Sequence, residues 1–374
     1  MKVLLVGNYE FDGSTSMKIW ADTLRRELLQ LGIDANLVAP KPILGRMKPS
    51  SSGFGKWLGY CDRFFFFPQA LRAAASHADV VHICDHGNAM YSLRLKGIPV
   101  VVTCHDMHAV LGAHGEVPDC PASPLGRLLQ SWICRGLRRA ACVACVSNAT
   151  LADAQRLLRK QTNLRVVLNA LNYPFRQLSH TETERRLEGI SGLDRPFVLH
   201  VGSNLTRKNR EGVMKVFALA SEGIDLRLLF VGQALTPELL RLADELQIRN
   251  QIISIVRPDV EVIEALYNRA VALIFPSRYE GFGWPPIEAQ ACGCPVVASN
   301  IPPLLEAVGQ SALLHSLGDE RGMAASIRRL ATDPDYCQEM RRRGLENVRS
   351  RFQTLRMMEE YVSLYQELAC RSER

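Results

Sequence analysis

Residues 270–299 read AVALIFPSRYEGFGWPPIEAQACGCPVVAS, and this stretch decides the fold. Ala270–Phe275 is a short apolar run with no polar alternation, the pattern of a parallel strand covered on both faces. A Gly- and Pro-rich turn follows, and Pro285 and Pro286 suit a first helical turn, where missing N–H groups cost nothing. Pro295–Ser299 is a second apolar run. The same alternation extends outward in both directions. KVLLVG, ANLVA, DVVHI, PVVVTC, ACVACVS and RVVLN are candidate strands of the first half; PFVLHVG, LRLLFVG, IISIV and ALLH join the opening pair in the second. Helical stripes lie between them, as in Met17–Leu31, where Trp20, Leu24, Leu28 and Leu31 share a face and Gly32 ends it. Strand–helix–strand alternation of this kind implies a doubly wound α/β fold.

The alternation falters at Leu171–Arg195, which is polar and lacks a strand. The expected organisation is a first α/β domain over 1–175, a linker over 176–195, and a second α/β domain over 196–350. A terminal helix over 351–374 returns to the first domain, because Met357, Met358, Tyr361, Leu364 and Tyr365 give it an apolar face.

Of 374 residues, 47% are hydrophobic, 22% charged and 7% aromatic, which excludes disordered, collagen-like and coiled-coil chains. No apolar run approaches the roughly twenty residues of a membrane span. The opening MKVLLVGNYEFDG reads as a first buried strand rather than a signal peptide. Eleven cysteines, several inside apolar strands, fit free thiols in a reduced, cytoplasmic setting. Cys142 and Cys145 form a CxxC on a strand that turns them to opposite faces, so no zinc site is expected. The net charge of +7 suits an anionic partner, but no aromatic–basic nucleic-acid module accompanies it.

In open α/β sheets ligands bind beyond the carboxyl ends of strands. After strand AVALIF, Gly281 and Gly283 permit close backbone approach, and the helix that follows directs its dipole at an anion. Glu280 precedes that helix and Glu288 lies within its first turn or so. Helix capping accounts for Glu288 equally well; the alternative is that both carboxylates accept hydrogen bonds from sugar hydroxyls. The loop after PFVLHVG, Ser203-Asn204-Leu205-Thr206-Arg207-Lys208-Asn209-Arg210, adds a basic cluster at the mouth of the same sheet and favours a phosphate clamp.

PSRYEGFGWPPIEAQACGCPVVAS resembles the E-x7-E segment of retaining glycosyltransferases of family 4, which have the GT-B fold: two Rossmann-like domains facing across a cleft. HVGSNLTRKN, SNIPPLLEAVGQSALL, VTCHD, CVSNAT and VVLNALN extend the resemblance over most of the chain. It implies that Glu288 holds ribose hydroxyls, that Glu280 lies against the donor hexose, and that the amides around Phe282, Gly283 and Trp284 meet sugar and phosphates. Lys208 would neutralise the diphosphate. Many relatives carry Arg directly after the HVG glycine; here Ser203 stands there, and Arg207 beside Lys208 is the candidate substitute. Gly202, Ser203 and Arg257, at the ends of PFVLHVG and IISIV, and Gly281 complete the donor-side set. His105, in VVVTCHD, is implied to contact the reacting sugar or the acceptor, with Asp106 ordering its loop. Gly13 and Ser14 are the nearest match to the relatives' first Gly-rich turn. Asp333-Pro334-Asp335 reads as a turn between helices, and no metal or other cofactor is expected.

The implied function is transfer of a hexose, with retention, from a nucleotide-diphosphate sugar of the GDP-mannose or UDP-hexose type to an acceptor hydroxyl. Polysaccharide, lipopolysaccharide or glycolipid synthesis is the setting. A nucleotide-sugar epimerase of similar fold and a non-catalytic nucleotide-binding relative are the rivals; slow donor hydrolysis would separate them. The partners expected are a nucleotide sugar, a carbohydrate or lipid-linked acceptor and an anionic membrane surface, with no nucleic acid. Two readings stand for the aromatic stretch Phe54, Trp57, Leu58, Cys61, Phe64 and Phe65, with Lys56 and Arg63 beside it and Arg46 and Lys48 upstream. It is either a core helix of the first domain or an interfacial helix at the inner face of a membrane.

Overall fold

A computed structural model describes residues 1–13, 15–47, 53–158 and 162–372. All twelve anticipated strands form. They are β1 (Lys2–Val6), β2 (Asp34–Val38), β3 (Val80–Ile83), β4 (Val100–Cys104), β5 (Cys142–Cys145), β6 (Leu164–Val166), β7 (Phe197–Gly202), β8 (Arg227–Gly232), β9 (Ile252–Val256), β10 (Ala272–Phe275), β11 (Val296–Ser299) and β12 (Leu313–His315). Two six-stranded parallel sheets result, in the orders β2-β1-β3-β4-β5-β6 and β12-β11-β10-β7-β8-β9. The first is the flavodoxin-like order and the second the dinucleotide-binding order of doubly wound folds. Strands β3, β4, β5, β10 and β11 are buried along their whole length, which is why they read as unbroken apolar runs.

The chain forms two compact units, Met1–Tyr173 with Thr354–Arg374, and Pro174–Gln353. The segment expected as a linker belongs to the second unit and is not loose. Ser179 caps a helix over His180–Leu187, which packs on the helix Val260–Arg269. Its charges are paired: Arg186 meets Glu264 at 2.5 Å and Glu182 at 2.6 Å, and Arg269 meets Glu184 at 2.7 Å. A polar, ion-paired surface helix therefore carries the composition of a linker.

The terminal helix Thr354–Ser372 belongs to the first unit. Tyr361 and Tyr365 are fully buried there, and their hydroxyls meet Thr103 (3.0 Å) and His82 (2.5 Å), while His82 also bonds Thr103 (2.7 Å). Phe352 stays with the second unit, 5.7 Å from the Phe282 ring.

The aromatic stretch is not a core helix. A helix over Gly53–Cys61 runs through a π-helical turn, Asp62–Phe66, into a second helix, Phe67–Ala75. Its buried face carries Gly55, Gly59 and Asp62. The Asp62 carboxylate accepts the amides of Ile43, Leu44 and Gly45 and the Tyr9 hydroxyl (2.8–3.1 Å). A Cβ at Gly59 would lie 3.0 Å from the Tyr9 ring. Close packing through glycine leaves the large rings outside: Trp57 is 54% and Phe65 73% exposed. Lys48 lies outside the described residues.

Candidate functional site

In the second unit the chain builds β8 and β9 on one side of β7, then crosses to lay down β10, β11 and β12 on the other. The loops leaving β7 and β10 therefore flank the point where the winding reverses, where open α/β sheets bind ligands. The two loops are stitched together. Asn209, left-handed at φ 52°, caps the helix Arg210–Ala220 through the Gly212 amide (3.3 Å) and donates to the Pro276 carbonyl (3.0 Å). The Arg278 amide donates to the Arg207 carbonyl at 2.7 Å. Arg210 is buried and holds the carbonyls of Gly202 (2.6 Å) and Gln233 (2.8 Å), so this cation shapes the loop instead of facing a ligand.

On this frame Glu280 is gripped from two sides. Lys208 Nζ lies 2.6 Å from Oε1, and an Arg207 guanidinium nitrogen lies 3.0 Å from Oε2. Arg207 also donates to the Tyr279 carbonyl (3.2 Å), and Lys208 sits 4.8 Å above the Phe275 ring. Burial pulls the Lys208 pKa below its ordinary value, against the opposing charge of Glu280. Two cations and one carboxylate leave a net positive group at the strand ends. Ser203 is half-buried at the end of β7.

Glu288 is the fifth residue of the helix Trp284–Ala291. It is buried, accepts the Tyr267 hydroxyl at 3.0 Å, and burial raises its pKa to about 7. Gly283 has φ 111°, and a Cβ there would lie 2.6 Å from a Leu304 methyl, so only glycine fits the turn. Pro285 and Pro286 occupy the second and third helical positions and carry no N–H, so the end of this helix offers two fewer amide donors than an ordinary first turn. Phe282 is buried against Phe352 and Trp284 and forms wall. Arg257 is not brought to this group: it is exposed at the end of the edge strand β9, three strands from β10.

In the first unit the winding reverses between β1 and β3. His105 follows β4, buried, with its ring 5.0 Å from Trp20. Its Nε2 donates to the Cys84 carbonyl (2.9 Å), which fixes the neutral tautomer with the Nδ1 lone pair as acceptor. Burial lowers its pKa. Asp106 accepts the His108 amide (3.0 Å) and orders its own loop. Gly13, at φ 69°, closes the turn Glu10–Asp12 after β1; Ser14 lies outside the described residues.

Around the same strand ends is a cluster that sequence reasoning missed. Asn8 donates to Asp85 (2.6 Å) and accepts from Asn88 (2.9 Å), and the Gly87 amide donates to Asp85 (2.9 Å). Arg63 reaches Asn88 (3.1 Å) and Asp12 (3.1 Å). Burial works to raise the Asp85 pKa, but the neighbouring His86 and His105 rings and the Asn8 and Gly87 bonds outweigh it and hold it down. The available signal was the polar string DHGN directly after strand DVVHI. In the second unit, Tyr267 was missed because a helical tyrosine carries no motif.

Asp333 caps the helix Pro334–Arg351 through the Tyr336 amide, as expected of a turn. Among the described residues, no three His, Cys, Asp or Glu side chains group to hold a metal ion. No helix among them is long and apolar enough to cross a membrane.

Residues 182–347 match the family profile described as glycosyl transferases group 1, and residues 18–173 match glycosyltransferase family 4. The N-acetyl-alpha-D-glucosaminyl L-malate synthase of Bacillus anthracis is 25% identical over 62% of this chain and 61% of its own length. The O-antigen chain mannosyltransferase RfbU of Salmonella typhimurium is 29% identical over 37% of this chain and 39% of its own. The chain thus matches 61% and 39% of the length of these two relatives. Among solved structures, sucrose-phosphate synthase from Thermosynechococcus elongatus superposes with a TM-score of 0.80 at 20% identity, over 98% of this chain and 99% of that one. Anabaena HepE in complex with UDP-glucose gives 0.73 at 18% identity, over 98% and 100%. With one profile on each side of the unit boundary, the chain belongs to the group 1, family 4 glycosyltransferases of GT-B fold.

Proposed function

We propose that the chain transfers a hexose from a nucleotide-diphosphate sugar, of the GDP-mannose or UDP-hexose type, to an acceptor hydroxyl with retention of configuration. The observation that carries this is the Glu280 carboxylate held by Lys208 and Arg207 at the reversal point of the second sheet. The bond from the anomeric carbon to the phosphate breaks, the diphosphate gains negative charge, and the sugar becomes oxocarbenium-like. Lys208 and Arg207 stabilise the leaving group, and Glu280 stabilises the positive sugar and fixes both cations; such preorganised charge is usually the largest catalytic contribution. On a front-face route the departing phosphate oxygen takes the acceptor proton, so no side chain serves as base. The cations supply the charge without a metal. Glu288, aligned by Tyr267, accepts from the ribose hydroxyls, and His105 from a hydroxyl of the sugar or acceptor.

A carbohydrate or lipid-linked acceptor on the cytoplasmic side of an anionic membrane completes the reading, in polysaccharide, lipopolysaccharide or glycolipid synthesis. The test is incubation with GDP-mannose, UDP-glucose and UDP-N-acetylglucosamine, following nucleotide release and the anomeric proton of any product. Slow release of UDP or GDP is expected from one donor class. A chain that neither binds nor hydrolyses any of them would overturn the reading.

A further inference from the structure

A groove of about 920 Å³ lies in the first unit between the helix Gly53–Cys61 and the helix Pro124–Arg139. Its floor is an aromatic ladder: Trp57 on Tyr60 (5.7 Å), Tyr60 on Phe64 (5.4 Å) and Phe64 on Trp132 (5.1 Å). Leu125 and Leu128 line the opposite wall and are 61% and 67% exposed. Large aliphatic side chains rarely gather on a surface without an occupant.

The rest of the lining is cationic. Lys56, Arg135 and Arg138 border the groove, and no carboxylate is among its described lining residues. None of the three has an ion-pair partner among the described residues; Arg138 donates only to the Leu157 carbonyl (3.3 Å). The helix Pro124–Arg139 bears four arginines and no acid. The complementary ligand is long, apolar and anionic.

The groove also has a direction. A second cavity of about 180 Å³ shares Lys56 and Tyr60 with it and is bounded beyond them by Asp12 and Arg63. Arg63 bonds Asn88, which bonds Asn8, which bonds Asp85. Apolar wall, the Lys56 cation and a network of polar side chains thus follow one another along a single path. That is the order of a hydrocarbon chain, its phosphate and an attached sugar.

We propose that the groove seats the hydrocarbon chain of one lipid-phosphate-linked acceptor molecule, with its phosphate at Lys56 and its sugar at the Asn8–Asp85 cluster. This rests on the transfer reading above and narrows its acceptor to an amphiphile held as a single molecule. The π-helical turn Asp62–Phe66 has a place in it: the turn sets Phe64 toward the groove while Arg63 faces the polar cluster.

The probe is farnesyl phosphate below its aggregation concentration, followed by tryptophan fluorescence, because Trp57 and Trp132 line the groove. Saturable binding is expected, with farnesol at least about tenfold weaker and inorganic phosphate inert. Leu128→Asp, at an exposed position, should weaken binding at least about tenfold with an unchanged melting temperature and unchanged nucleotide release. Lys56→Glu should weaken farnesyl phosphate but not farnesol. Equal binding by wild type and Leu128→Asp overturns the proposal. So does co-sedimentation with anionic vesicles without binding of monomeric farnesyl phosphate, which would make the face a membrane surface. Farnesyl phosphate binding without nucleotide release keeps the groove and removes the transfer reading; release without binding does the reverse.

Discussion

The two sheets reverse their winding at comparable points, yet they furnish those points differently. In the second unit the charged side chains come from two short strings, Thr206–Asn209 and Tyr279–Gly283, on loops that leave neighbouring strands. In the first, Asn8, Asp12, Arg63, Asp85, Asn88 and His105 come from four separate segments, and the Gly87 amide and the Asn8 side chain hold the Asp85 carboxylate. On the proposed function, the difference follows from what each end recognises. A diphosphate is a compact charge, and two cations beside a carboxylate answer it. A sugar hydroxyl is read by direction, and a network of fixed hydrogen-bonding side chains supplies that. The second unit's charged group lies within its own continuous stretch, Pro174–Gln353, whereas the first unit borrows the terminal helix for its core.

The largest expected effect tests that borrowing. Deletion of all residues after Arg351 removes Met357, Met358, Tyr361, Leu364, Tyr365 and Leu368, all buried. At roughly 2 kcal/mol for each large buried side chain, the loss exceeds the stability of most domains. The truncated chain should show a melting transition lowered by more than about 10 °C, or none. Unchanged melting would mean that the first sheet is self-sufficient.

Next in size is Glu280→Gln, which should fold and lose about a hundredfold or more in transfer, because an oriented charge at the reacting sugar is gone. Activity within a factor of about three of wild type would remove Glu280 from the chemistry.

Glu288 contrasts with Glu280 in having a phenol, not two cations, for a partner. Its folded pKa is raised by burial to about 7 from 4.5. The unfolded chain gives up this proton first, so the group's contribution is complete below about pH 4.5 and is lost as pH rises through about 7. Over that window the loss is on the order of 2–3 kcal/mol. Glu288→Gln should therefore melt higher than wild type at pH 8 and alike at pH 4. Equal melting at both would show that water or a counter-charge already relieves the carboxylate.

What was legible divides along the same line. Every strand could be read, because a parallel strand covered on both faces leaves an unbroken Val/Ile/Leu run such as VVVTC or ALIF. Lys208 and Glu280 could each be placed in a loop leaving a recognisable strand, but only the fold shows that these loops, 72 residues apart, bring the two side chains together. The Asn8–Asp85 pairing could not be read: nothing in either string says that β1 and β3 become neighbours. The ion pairs of Glu182, Arg186 and Glu264 are equally hidden, so a packed polar helix has the composition of a linker. Arg257 was misplaced for the opposite reason, since a strand end is visible in sequence but its distance across the sheet is not.

Lys208→Ala sharpens the charge argument at the second sheet. It leaves Glu280 with Arg207 alone and should weaken UDP or GDP binding by a few tens-fold, more at low salt than at high. Calorimetric titration at two salt concentrations reads both. Unchanged affinity would place the phosphates elsewhere.

The smallest effect is expected at the first sheet. Asp85→Asn keeps the shape of the side chain but replaces one acceptor oxygen by a donor, opposing either Asn8 (2.6 Å) or the Gly87 amide (2.9 Å). The network is redundant, so kcat/KM for the acceptor should fall by only about tenfold, while nucleotide affinity and donor hydrolysis stay at wild-type values. A positioning role leaves a second mark. The Asp85 charge raises the His105 pKa, against the burial that lowers it. Removing that charge should move the acid limb of the acceptor pH profile to lower pH. If nucleotide affinity falls along with acceptor turnover, the two strand-end sites are not separate in function, and the contrast between them fails.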